Sequence, residues 1–125
     1  MSDSIPPFLA RFIYHHDLVS SQGRVKYRAF LESRPPHNTS VDAHGVYCKD
    51  IHWEAGRAIN SRPLHGAADI HTTDVIATGF EVAVIPTETN PFHAELQGWP
   101  DDKSLRIEKA RDLADASCFV PAPQS

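Results

Sequence analysis

Residues 64–71 read LHGAADIH, and the octet alternates along its whole length. Side chains of a strand point to opposite faces in turn. His65, Ala67, Asp69 and His71 therefore share one face, and Leu64, Gly66, Ala68 and Ile70 share the other. Residues 92–97 (FHAELQ) repeat the pattern, setting His93, Glu95 and Gln97 against Phe92, Ala94 and Leu96. Two half-polar strands of this kind call for a half-buried sheet with one apolar side. If the two strands are neighbours, three imidazoles and two carboxylates crowd one surface. The plainer reading makes that side a polar face washed by solvent.

The rest of the chain adds short elements. Residues 8–15 (FLARFIYH) read as a strand with one aromatic face formed by Phe8, Phe12 and Tyr14. Residues 25–31 (VKYRAFL) form a second candidate strand after the turn signal at residues 20–23. Paired prolines at Pro35 and Pro36 demand a loop, because proline cannot donate to a ladder or continue a helix. Residues 39–43 make a short strand. In residues 49–60, Ile51, Ala55, Ala58 and Ile59 fall at helical spacing, a pattern weakened by Gly56. Thr72-Thr73-Asp74 opens one helical turn that Gly79 stops. Residues 80–85 are a strand. Residues 103–116 are a helix capped by Asp101 or Asp102, with Ile107, Ala110, Leu113 and Ala114 as its buried stripe. Residues 118–120 form a last strand.

The spacing predicts an α+β fold: a curled, mostly antiparallel sheet of about six short strands with a middle helix and a C-terminal helix. One domain is expected over residues 8–120, with residues 1–7 and 121–125 as flexible tails.

Charge narrows the function classes. The 125 residues carry a net charge of −4, which argues against a dedicated nucleic-acid binder. Eight histidines make that charge change sign in mildly acidic solution. Cys48 and Cys118 lie far apart, and two isolated thiols build no thiolate zinc cluster. No apolar run approaches the ~20 residues that span a bilayer, so no membrane partner is expected. The first residues lack a basic segment followed by an apolar core, so the expected location is cytoplasmic with both thiols reduced.

Several residue groups have chemical potential. His65, Asp69 and His71 are of the types that ligate divalent transition metals, although no HExxH, HxH or DxD accompanies them. Imidazole beside carboxylate also suits proton transfer, which adds His93 and Glu95. Arg11 sits in an apolar strand and must find a carboxylate, with Asp42 and Asp69 as candidates, or else bind an anion. Ser40 lacks the GxSxG setting of a hydrolase elbow. Cys48 lies near Lys49 and His52, cations that lower a thiol's pKa. Trp99, in a Gly-Trp-Pro corner, is either a cover on the core edge or an exposed anchor for a partner protein. Arg24, Lys26, Arg28 and Arg34, interleaved with Tyr27 and Phe30, are either a solvated face or a contact for phosphates and bases.

Arg11, Ala29-Phe30, Thr39-Ser40-Val41-Asp42 and Asn90-Pro91-x-His93-Ala94 with Gly98 follow one another in a recognisable order. In this the chain resembles a family of small uncharacterised bacterial proteins. Its members carry an early arginine, an Ala-Phe, a Leu/Thr-Ser-Val-Asp and a late Asn-Pro-x-His-Ala-x-x-x-Gly. The resemblance spans most of residues 8–116. It implies a self-contained bacterial domain and draws attention to Arg11, Ser40, Asp42 and His93, without implying an activity.

The leading expectation is a binding or accessory protein that recognises another macromolecule through Trp99, Arg24, Lys26 and Arg28. The alternative is a metal-assisted or histidine-based hydrolase or a transferase acting on a phosphorylated or nucleotide-like ligand. In it, His93 is the base, Asp42 or Asp69 its orienting group, Arg11 the anion clamp and Ser40 a polar contact. A third expectation is a nucleic-acid-binding accessory subunit. No cofactor is specified; a divalent metal at His65, Asp69 and His71 is the sole candidate.

Overall fold

Strand pairing decides the architecture. The computed structural model describes residues 5–45, 51–59 and 62–123. Among the described residues the strands are β1 (Phe8–Ile13), β2 (Thr39–His44), β3 (Gly66–His71), β4 (Glu81–Val84), β5 (His93–Gln97) and β6 (Cys118–Pro121). They form one open sheet in the order β4-β5-β2-β1-β3-β6, with every neighbouring pair antiparallel. The helices are α1 (Trp53–Ile59), α2 (Thr72–Ala77) and α3 (Lys103–Ala116), and two 3-10 turns lie at His16–Leu18 and Tyr27–Phe30. The fold class is α+β.

The two half-polar strands are not neighbours. β1 and β2 stand between β3 and β5, so the five acids and imidazoles do not form one patch.

Register carries each face across the sheet. Leu9, Val41, Ala43, Ala68, Ile70, Ala94 and Leu96 form one face, packed into the main core with Phe30, Val75, Trp99 and Leu113. Phe8, Ala10, Phe12, Asp42, His44, Asp69, His93 and Glu95 take the other. That polar face is only partly washed by solvent. A second apolar cluster of Ala10, Ile51 and Ala67, with Phe12, Trp53 and Val120 against it, covers part of it. Asp42, His44 and Asp69 are buried there.

Local chemistry explains the helices. The Asp102 carboxylate accepts from the Leu105 N–H at 3.2 Å and caps α3, whose Ala110, Leu113 and Ala114 are buried as the stripe requires. Gly79 has φ +105°, the left-handed turn that ends α2. Gly56, a weak point by helix propensity, has a packing reason. A Cβ there would lie 2.6 Å from the Phe12 ring. Of the expected 49–60 helix, residues 49, 50 and 60 lie outside the described residues.

Residues 25–31 are not a strand. Only Val25 bridges, to Val19, and residues 27–30 wind into a 3-10 turn that buries the adjacent Ala29 and Phe30 together. Alternation would have sent those two side chains to opposite faces. The chain is also tied down beyond the expected limits of the domain. The carbonyl of Pro6 accepts from the Thr72 hydroxyl, and that of Pro7 from the Thr72 N–H. The Ala122 N–H reaches the His65 carbonyl, and Pro121 belongs to β6.

Candidate active site

β1 and β2 pair over three positions, from Phe8↔His44 to Ala10↔Asp42, and then part. Arg11 fills the gap. Its Nε donates to the Ala29 carbonyl at 2.9 Å, Nη1 to the Ser40 carbonyl at 3.0 Å and Nη2 to Glu32 Oε2 at 2.7 Å. The carboxylate that sequence reasoning sought in Asp42 or Asp69 is therefore Glu32. A loop residue opposite a strand arginine leaves no periodic signal. Three of the five guanidinium N–H groups are occupied by these bonds.

Where the strands part there is a cavity of about 280 Å3. Arg11, Ser40, Asp42 and His93 all border it, together with Tyr14 and Glu32. Residues from β1, β2 and β5, distant in the chain, meet there. Thr39, one position before Ser40, is a scaffold residue: buried, its hydroxyl donates to the Phe30 carbonyl at 2.7 Å.

Asp42 is the chemically unusual group. It is 1 % exposed. Its Oδ1 accepts from Asn90 Nδ2 at 2.7 Å, while Oδ2 has no hydrogen-bond partner among the described residues. Burial pushes the Asp42 carboxyl above the usual carboxylate range, and the Asn90 bond with the nearby His52 and His93 only partly opposes it. Tyr14 responds to the same surroundings. Burial raises its phenol and Arg11 lowers it, with Asp42 adding a smaller upward push. The Tyr14 hydroxyl donates to the Gly56 carbonyl, tying α1 to the cavity rim. His93 pairs with Asp42 in register, and its Nε2 lies 3.7 Å from Glu95 Oε2.

His65, Asp69 and His71 go three ways. His65 stacks on Phe119 at 5.2 Å, and His71 packs against Phe8 at 4.7 Å. Asp69 turns to His44, with Nε2 to Oδ1 at 2.6 Å and both side chains fully enclosed. Among the described residues no group of three or more histidines, cysteines and acids is placed to hold a metal. Asp69 thus lies outside this cavity, and of the two acids Asp42 is the one that borders it with His93.

Trp99 is not an exposed anchor. It is buried and packs against Phe80 at 4.5 Å between ring centroids. Arg24, Lys26 and Arg28 are exposed, on the opposite layer from Asp42. There Lys26 and Arg28 border a groove with Arg111, whose guanidinium lies over the Tyr27 ring at 5.1 Å. Cys48 lies outside the described residues. No described helix is long and apolar enough to cross a membrane.

Sequence reasoning missed Tyr14, Asn90 and His52 as site residues. Tyr14 was legible, since it continues the Phe8–Phe12 alternation. Asn90 sat inside the Asn-Pro-x-His motif. His52 had no signal beyond its residue type. Comparison of the chain with family models, curated proteins and solved structures finds no match.

Proposed function

We propose that the protein is a small acid–base enzyme, a hydrolase or transferase acting on a phosphorylated or nucleotide-like ligand held in the Asp42 cavity. The observation that carries this reading is Asp42 itself: a carboxyl enclosed at a cavity wall with one oxygen left without a hydrogen bond. Folding alone does not favour such a group, because an unsatisfied buried polar atom costs about 1–3 kcal/mol. A carboxyl raised by burial holds and gives up a proton nearer neutrality than a solvated one does. His93 supplies a second proton carrier, and the Arg11 guanidinium offers an anion site offset by Glu32. Perturbed groups meeting in a cleft are the physical signature of a reactive site.

The test is a panel of small phosphomonoesters, phosphodiesters and nucleotides, followed by amide chemical shifts and turnover. A panel member should shift Arg11, Ser40, Asp42 and His93 together and be turned over by the protein but not by Asp42→Asn. Turnover that survives Asp42→Asn refutes the reading, as does binding that always maps elsewhere.

A second reading, recognition of another macromolecule, is supported by the groove where Lys26, Arg28 and Arg111 meet with Asp115 as the acid among its lining residues. A labelled single-stranded oligonucleotide should bind with an affinity that falls steeply with salt and drops in Arg111→Ala. Salt-independent or undetectable binding removes this reading.

A further inference from the structure

Asp42 separates two spaces. On one side lies the 280 Å3 cavity; on the other, His52 Nδ1 lies 3.6 Å from Asp42 Oδ2. Both atoms are buried, and neither has a hydrogen-bond partner among the described residues. A shift of about half an ångström makes an ordinary N–H···O bond between them. Two unsatisfied atoms facing each other across so small a gap are complementary, provided that the imidazole carries its proton on Nδ1.

The imidazole is held for this purpose. Its ring stacks on Phe92 at 3.5 Å and 9°. Phe92 is fixed in turn, its N–H donating to Asn90 Oδ1 at 3.0 Å. Asn90 thus holds Asp42 with one end of its amide and the stacking partner of His52 with the other. The His52 side chain is 26 % exposed although Nδ1 is buried, so the exposed part of the ring faces away from Asp42. That part borders outer grooves shared with Ile51 and Phe92.

We propose that His52 is the proton port of Asp42, exchanging protons between the enclosed carboxyl and the solvent-facing groove. Neutral His52, carrying its proton on Nδ1, takes a proton from hydronium at Nε2 and gives its Nδ1 proton to the ionised Oδ2, which leaves water, an imidazole protonated on Nε2 and a carboxylic acid. In the reverse sequence the carboxyl returns its proton to Nδ1 and Nε2 releases one to water. Charge and protons balance with hydronium and water as the only co-reactants. The other groups facing Asp42 do not duplicate this path. Asn90 carries no exchangeable charge, His93 and Tyr14 lie on the cavity side with Arg11, and the His44–Asp69 pair is closed to solvent.

The inference rests on the acid–base reading of Asp42, yet its test does not depend on turnover. The Asp42 carboxyl carbon and the His52 ring are followed by NMR across pH in the full chain, in His52→Phe and in His52→Gln. In the unaltered protein the Asp42 signal should move in two steps, one of them coinciding with His52 titration, as coupled groups do. In both variants a single step should remain, with its midpoint raised, because His52 favours the ionised carboxyl. An Asp42 curve unchanged in the variant that folds overturns the inference. With a substrate in hand, His52→Phe should lower kcat on the order of a hundredfold with KM nearly constant, and added imidazole should restore part of it. Coupled titration with no turnover by any panel member sinks the enzymatic reading and leaves the pair standing. Turnover that needs Asp42 but ignores His52 does the opposite.

Discussion

Arg11→Met removes one guanidinium from the seam between β1 and β2 and keeps most of the apolar stem. The three bonds lost are not equal. Ala29 is buried, so its carbonyl is stranded away from water, at about 1–3 kcal/mol. Ser40 is exposed, and water replaces the donor to its carbonyl at a cost of about 0.5 kcal/mol. Glu32 is 39 % exposed, so its freed carboxylate is rehydrated and the ion pair, discounted for screening, contributes about 0.5 kcal/mol. Together the substitution should cost about 2–4 kcal/mol. For a domain of this size that lowers Tm by roughly 8–16 °C. Urea unfolding with an unchanged m-value is the assay. Glu32→Gln is the control: it removes the charge but leaves both carbonyl bonds, and should cost less than about 1 kcal/mol. If Glu32→Gln destabilises as much as Arg11→Met, the arginine acts through its ion pair, and the carbonyl staple described above is wrong.

The remaining predictions concern the polar face. His44→Ala should destabilise by about 3 kcal/mol or more in urea melts, because it takes the imidazole from a fully enclosed Asp69 carboxylate. Gly56→Ala gains roughly 1 kcal/mol of helix propensity but forces the Phe12 ring or α1 to move. Its net effect should be destabilising, and the loss should shrink in a Phe12→Leu background. Asp42 has its folded-state pKa raised by burial, so the native state binds the proton more tightly than the unfolded chain does. Its contribution therefore falls as pH rises from the ordinary carboxylate range through the folded value, and is flat above it. Asp42→Asn should remove that decline, and its Tm should exceed the native one by more at neutral than at acidic pH. A native advantage at neutral pH would show the carboxylate to be well solvated after all.

Short-range patterns were legible because short-range forces set them. Residues 103–116 carry a capping carboxylate and a stripe at helical spacing, and both act in the structure as read. Thr39–His44 and His93–Gln97 appear where alternation placed them, within a residue or so. What failed needed partners from afar. Nothing in residues 25–31 announces that α3 will press on them and bury Ala29 beside Phe30. Nor does alternation in β3 and β5 say which strands will stand between them, since period two fixes a face and leaves the neighbour open. The expected solvent-washed face became partly dry for a related reason. Ile51 and the residues around α1 cover it, and their pattern in sequence is that of any amphipathic turn.

The candidate site gathers residues singled out one by one in the sequence, but by a route other than the expected one. Arg11, Ser40, Asp42 and His93 were each flagged, and they meet in one cavity. The gathering is made by the parting of β1 from β2 and not by a rung shared between β3 and β5. The rung that does matter runs Asp42↔Ala10↔Asp69, with two carboxyls set on either side of one small residue. Their surroundings divide them. Asp69 is closed off with His44 at 2.6 Å and lies outside the cavity that Asp42 borders, as suits a group that holds the sheet face together. Asp42 keeps one oxygen at 3.6 Å from an imidazole and borders a cavity of a size to hold a small ligand. Selection for stability alone would complete that bond or replace the acid with an apolar side chain. Of the two acids, the unfinished one is therefore the one to test for chemistry.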